Sequence, residues 1–343
     1  MRLLFALGLA ASGLWGCSGS DSGAGGSGGS GGGAGSEAVL RLSGKSETEL
    51  CTYYAQRYPV SSAPAVTGSD LSCVAGTITA EGVAQYRQRI DFYREWLGLT
   101  KTDEPDPSLT EPAQDCAMMM GVAEKLSHNP STDWPCYTAA GAETAGDANL
   151  GYAYASPAQS IDVFMFDFGN EDDPGHRRWL LYPQFAGLGY GWFDAGPGGK
   201  YGRLSASCVV TFKGSMDLDL ARTPAPVAYP PAGAFPHALA AITNLATPYR
   251  VPWSLSWQGA DFSGATLKLV DEKTGQPVPL ELDLHPLQAY VGADAAGWLP
   301  APIPAMGDRW SVRIEGVKLD GIAQLPIVYE VQMVDCGATP IFP

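Results

Sequence analysis

The chain has 343 residues, 45% of them hydrophobic and 10% aromatic, which is enough apolar material to bury a sizeable core and enough length for two domains. Its 21 basic and 36 acidic residues leave a formal charge of -15. So acidic a surface argues against nucleic acid or anionic lipid head groups as partners, because it repels phosphate. The acidity is read as solubilising.

Met1 and Arg2 form a short basic start, and Leu3 to Trp15 is an uncharged, mostly apolar run of 13 residues. That is too short to cross a bilayer, which takes about 20, and it has the length of an export signal. The string Leu14-Trp15-Gly16-Cys17 resembles the lipobox of bacterial lipoproteins, in which the cysteine is acylated and becomes the first residue of the mature chain. Trp15 departs from that pattern, where small residues usually precede the glycine, and an ordinary cleaved signal with a chance cysteine is the alternative. From Ser18 to Ser36 every residue is Gly, Ser or Ala except Asp21. Such a tether is a flexible coil with a reach of about 25 Å. Ser18 stands where a retention signal would place Asp, so the expected location is the cell envelope, anchored by lipid at Cys17, and the outer membrane if the cell is Gram-negative. The acyl anchor is the only contact with membrane that the sequence implies.

Setting Cys17 aside leaves Cys51, Cys73, Cys116, Cys136, Cys208 and Cys336. In an oxidising compartment an even set reads as three disulfides, and six cysteines allow 15 pairings. Sequence proximity favours Cys51 with Cys73, Cys116 with Cys136, and Cys208 with Cys336. No C-x-x-C pair is present, which argues against a zinc-cysteine site.

Residues 37–78 read as an irregular or partly helical lead-in. Val83, Tyr86, Ile90, Tyr93 and Leu97 then recur at helical spacing, with Thr79 placed to cap the start and Gly98 to stop it. A second helix is expected from about Thr110 to Leu126, with Glu111 and Pro112 in its first turn. A third opens on Ser156-Pro157-Ala158-Gln159 and carries Ile161, Phe164 and Phe168 up to Gly169. Residues 186–193 and 203–213 are rich in aromatic and β-branched residues between glycine turns and predict antiparallel strands. The proline-rich segment 222–236 marks a boundary. Beyond it, runs at 251–257, 265–270, 278–284, 310–315 and 327–334 alternate as the strands of an immunoglobulin-like β-sandwich, with Trp253, Trp257, Trp298 and Trp310 as packing residues.

The strings Ile90-Asp91-Phe92-Tyr93-Arg94 with Gly98-Leu99, Ala113-Gln114, Leu126-Ser127-His128 and Gly175-His176-Arg177-Arg178, followed by Pro183 and Gly187 to Gly191, come in an order and spacing that resembles the CAP superfamily in its bacterial, SCP-like form. The resemblance covers residues 80–213 and implies a three-layer α/β/α sandwich, so with the all-β immunoglobulin-like sandwich read beyond it the expected fold class is α+β. The expected organisation is thus 1–17 signal and lipobox, 18–36 tether, 37–78 lead-in, 79–221 CAP-like domain and 222–343 β-sandwich.

The resemblance also implies a cleft holding two histidines and two carboxylates. His128 and His176 match the histidines. The family's Gly-Glu-Asn triplet corresponds to Asp147-Ala148-Asn149, so the usual glutamate is an alanine, for which Asp147 or Glu143 can compensate. Its tryptophan and glutamate on the third helix correspond to Phe164 and Asp167. Imidazoles beside carboxylates make either an acid/base pair or a weak divalent-metal site, with zinc held by His128 and His176. Read singly, His128 is a cap on a helix C-terminus and His176 a loop-ordering residue. The acidic cluster of Asp167, Glu171, Asp172 and Asp173 could hold calcium, but it lacks the alternating spacing of a calcium loop and reads as a solvated loop.

Three roles are compatible with these residues: a binding protein for an envelope ligand, which leads because a cleft recognises ligands without a complete tetrad; a hydrolase; or a structural envelope protein. The lipobox reading makes a direct prediction. Cys17→Ser should abolish incorporation of labelled fatty acid and leave unprocessed precursor in the inner membrane; a variant matured and released as efficiently as the wild type would overturn the anchor.

Overall fold

The computed structural model describes residues 37–185, 188–211, 223–243, 245, 248–289 and 291–337. The leader, Cys17 and the tether lie outside the described residues, as do Gly187 and the ends of two expected strands at 186–187 and 212–213. Residues from Ala38 onward gather into one compact unit. No helix among the described residues is long and apolar enough to cross a membrane.

The lead-in is partly helical. Helix α1, Glu47–Arg57, opens on a capping box in which the Ser46 hydroxyl accepts from Glu49 N–H and the Glu49 carboxylate accepts from Ser46 N–H. Helix α2, Ala80–Trp96, is capped by Thr79 and stops before Gly98, whose φ of 79° is the left-handed conformation that suits glycine. Helix α3 is displaced from expectation. It spans Pro107–Ala123, because Asp106 supplies an N-cap four residues earlier than Thr110 and Glu124 ends it in a left-handed conformation, leaving Pro112 inside the helix. Two short helices carried no sequence signal: α4, Ala139–Gly146, and α6, Gly175–Leu180. Between them α5 spans Pro157–Phe166, starts on Ser156 as expected, and ends two residues short of Phe168 because Asp167 adopts φ 56° and terminates it.

The first sheet is antiparallel, with Arg203–Val210 between Ala148–Tyr152 and Gly189–Pro197. Helix α3 lies directly on one face: a Cβ at Gly191 would come within 1.9 Å of the Ala113 carbonyl oxygen, so no side chain fits there. On the same face Gln114 exchanges hydrogen bonds with the Trp192 backbone at 2.6 and 3.0 Å. The opposite face takes α2 and α5, where Tyr86 stacks on Tyr190, donates to the Gly191 carbonyl at 2.9 Å, and Ser160 donates to Ser207 at 3.1 Å. Adjacent strand residues point to opposite faces, so Ser207 meets α5 while Cys208 meets α3. The result is an α/β/α sandwich.

The C-terminal region is all β. Val227–Tyr229, Trp253–Ser256, Ala295–Pro300 and Leu280–Pro286 form one antiparallel sheet; Ile327–Val334, Arg309–Glu315 and Thr266–Asp271 lead the other. Trp253 and Trp298 of the first sheet close on Trp310 of the second, with Trp253 5.7 Å from Trp310, and all three are buried. These sheets form a β-sandwich. The lead-in contributes to it, since Leu40–Arg41 pairs in parallel with Ile327–Val334. One apolar core runs from Tyr86 and Trp192 through to Trp253 and Ile314.

All six folded-region cysteines are bridged, but not in the order proximity favoured. The bonds are Cys51–Cys336, Cys73–Cys136 and Cys116–Cys208. Short loops are cheaper to close in an unfolded chain, whereas the fold decides which thiols meet: Cys116 sits on the sheet side of α3 directly above Cys208, and α1 packs its Cys51 beside the end of the last strand. Peptide mapping of the non-reduced protein should return these three linked pairs, and Cys116→Ala with Cys208→Ala should cost about 2–5 kcal/mol of stability, read from denaturant unfolding.

Candidate functional site

Five segments converge on a cleft of about 410 Å³ whose lining includes His128, Asp147, Asn149, Asn170, His176 and Gln288. His128 lies five residues past the end of α3 and caps a different helix from the one expected: its Nδ1 is 2.7 Å from the Ala145 carbonyl oxygen in the last turn of α4. A carbonyl only accepts, so Nδ1 carries the proton and Nε2 keeps its lone pair when the ring is neutral.

His176 is held more tightly. Its Nδ1 lies 2.7 Å from Asp167 Oδ1, its ring stacks on Phe164 at 5.2 Å, and its carbonyl accepts from Asn149 Nδ2 at 3.0 Å. Asp167 has no solvent exposure, and each of its carboxylate oxygens meets donors: His176 N at 3.3 Å and Asn170 Nδ2 at 3.1 Å on Oδ1, Arg177 N at 2.8 Å on Oδ2. With so many N–H groups aimed at it, Asp167 acts as acceptor and His176 donates through Nδ1. Neither histidine's Nε2 takes a partner among the described residues. The cleft therefore holds two imidazoles of the same tautomer, each with its outer nitrogen open.

The three expected carboxylates separate. Asp147, the C-cap of α4, lines the cleft, and its carbonyl accepts from Thr211 N at 2.9 Å. Asp167 lies behind His176 and serves it rather than the cavity. Glu143 is on the exposed side of α4 and is not among the lining residues. Among the described residues no three His, Cys, Asp or Glu side chains gather closely enough to hold a metal ion. Zinc chemistry takes three protein ligands; both oxygens of Asp167 are occupied, Glu143 stands elsewhere, and Asp147, though it lines the cleft, does not close with His128 and His176 into such a group. The donor set does not fit zinc.

Sequence reasoning missed what fixes His176 in place. Arg177, with no solvent exposure, donates from Nε to the Met165 carbonyl at 2.6 Å and from Nη1 to the Pro252 carbonyl at 2.7 Å and Ser254 at 3.1 Å, and its guanidinium lies 4.4 Å from the Tyr229 ring. Burial without a carboxylate bonded to the guanidinium pushes it below the usual arginine range. Arg178 reaches Asp173 at 3.0 Å and the Gln288 carbonyl at 2.6 Å. The two arginines thus tie the β-sandwich to the cleft, and Gln288 and Val291 of that region form one wall. The signal was the pair of adjacent arginines in an acidic chain.

Residues 88–211 match the model of the cysteine-rich secretory protein family, CAP. No curated protein and no solved structure matches the chain. The hydrogen bonding predicts tautomers that nitrogen-15 NMR can read. At a pH where the rings are neutral, both His128 and His176 should be protonated on Nδ1, and Asp167→Asn should disturb His176 alone.

Proposed function

From the CAP domain that residues 88–211 form, and hence from a chain of the CAP superfamily, we propose a ligand-binding protein held at the cell envelope by acylation of Cys17. The observation that carries the binding role is the matched pair of open Nε2 atoms in one cleft. A neutral imidazole in that state accepts a hydrogen bond, so the ligand brings O–H or N–H donors. The surrounding Asp147, Asn149, Asn170 and Gln288 add further polar contacts, which favours a glycan or peptide over a lipid tail. Export is supported by the apolar leader, the Gly/Ser tether and the three disulfides, which suit an oxidising compartment.

One feature favours a second reading. A buried carboxylate holding Nδ1 of an imidazole is the arrangement of a general base, since it stabilises the imidazolium formed when Nε2 takes a proton. His176 would then activate water against a bound acyl or glycosyl group, with Asp167 as its positioning residue.

Envelope glycan fragments and short peptides titrated against the protein discriminate these roles. His128→Ala and His176→Ala should each weaken the best ligand about tenfold, or about 1.4 kcal/mol. Undiminished affinity in the double alanine variant would remove the binding proposal. Turnover of a bound ligand that falls in Asp167→Asn while affinity persists would establish the hydrolase instead.

A further inference from the structure

The loop between α5 and α6 has two faces. Asn170 and Asp173 face the histidine cleft, whereas Phe168, Glu171 and Asp172 line a separate cavity of about 610 Å³ together with Tyr249, Arg250 and Glu281. Phe168 is a large apolar side chain left 50% exposed, and its ring packs on Tyr249 with centroids 4.8 Å apart. Tyr249 forms the floor beneath it, buried and donating to the Asp167 and Phe166 carbonyls at 2.8 and 3.2 Å.

The charges of the lining are unequal, with three carboxylates against one guanidinium. That guanidinium is already committed, because Arg250 pairs with Glu281 and donates to the Ala301 carbonyl at 2.7 Å. The Glu171 and Asp172 carboxylates take no hydrogen bond or ion pair among the described residues. An anion would be repelled here, and a neutral apolar ligand would strip water from carboxylates and give nothing in return. A cation with an apolar surface meets both demands, the ring face and the carboxylates.

We propose that this cavity binds an organic ammonium ion, seated against the Phe168 ring and neutralised by Glu171 and Asp172. The site is separate from the histidine cleft and stands or falls independently of it.

Choline and its uncharged isostere 3,3-dimethylbutanol are the probes, titrated by calorimetry and NMR against the full mature protein at pH 7.5 and low salt. Choline should bind and the isostere should bind about tenfold more weakly, since the two share shape and differ in charge. Phe168→Ala and Glu171→Gln should each weaken choline by a similar factor with unchanged thermal unfolding, because both side chains reach solvent. Tyr201→Ala, which removes an exposed aromatic outside this cavity, should leave choline binding intact. Added sodium chloride should weaken binding by screening the carboxylates. Equal affinity for the two probes would mean an apolar pocket only, and wild-type affinity in Phe168→Ala or no saturation by roughly 10 mM choline would equally overturn the proposal.

Discussion

The site depends on one buried carboxylate. Asp167 ends α5 in a left-handed conformation that a non-glycine residue adopts at some cost, and this turns the chain so that its side chain faces the start of α6. A lone carboxylate without solvent would be expensive. Here side-chain and backbone N–H groups of His176, Arg177 and Asn170 surround it, so the same contacts that make its burial tolerable also fix the imidazole and the first turn of the helix carrying it. Tyr249, donating to the Asp167 carbonyl, extends the arrangement into the β-sandwich. His176 is therefore oriented by both halves of the fold.

That dependence explains the place of the C-terminal region. The β-sandwich is more than an appendage, because Arg177 and Arg178 insert between it and the cleft and donate to its backbone, Arg177 to the Pro252 carbonyl and Arg178 to those of Gln288 and Ala293. Two guanidiniums taken out of water need acceptors, and carbonyls at the ends of strands supply them without adding charge. A chain with the α/β/α sandwich alone would leave Arg177 facing solvent and one wall of the cleft missing.

How far the sequence revealed this follows from the range of the forces involved. Helices with strong periodicity and a capping residue, α2 and α5, were legible because caps and apolar spacing act within a few residues. The start of α3 was not, since Asp106 was an equally good cap lying outside the apolar stripe. His128, His176 and Asp147 share a cleft that the family pattern implied, yet the part of Asp167, buried behind His176 rather than facing ligand, is a matter of depth that spacing does not encode. The pairings of Cys51 and Cys116 failed to follow proximity for the same reason, as their partners are chosen by packing across 285 and 92 residues.

The bridge from Cys51 to Cys336 also bears on load. A pull on the chain upstream of residue 37 reaches the body first at Leu40–Arg41, a strand of two residues held to Ile327–Val334 by a few hydrogen bonds. So short a strand peels readily. Six residues after Arg41 the chain enters α1, and within that helix Cys51 is joined covalently to Cys336, just past the far end of that same sheet. Peeling therefore runs out of slack before it reaches α2, and the force passes through sulfur into the last strand of the sandwich rather than into the helices that frame the histidines. The clasp works as a strain relief: the body can be held and tugged from its leading end while the cleft keeps its shape.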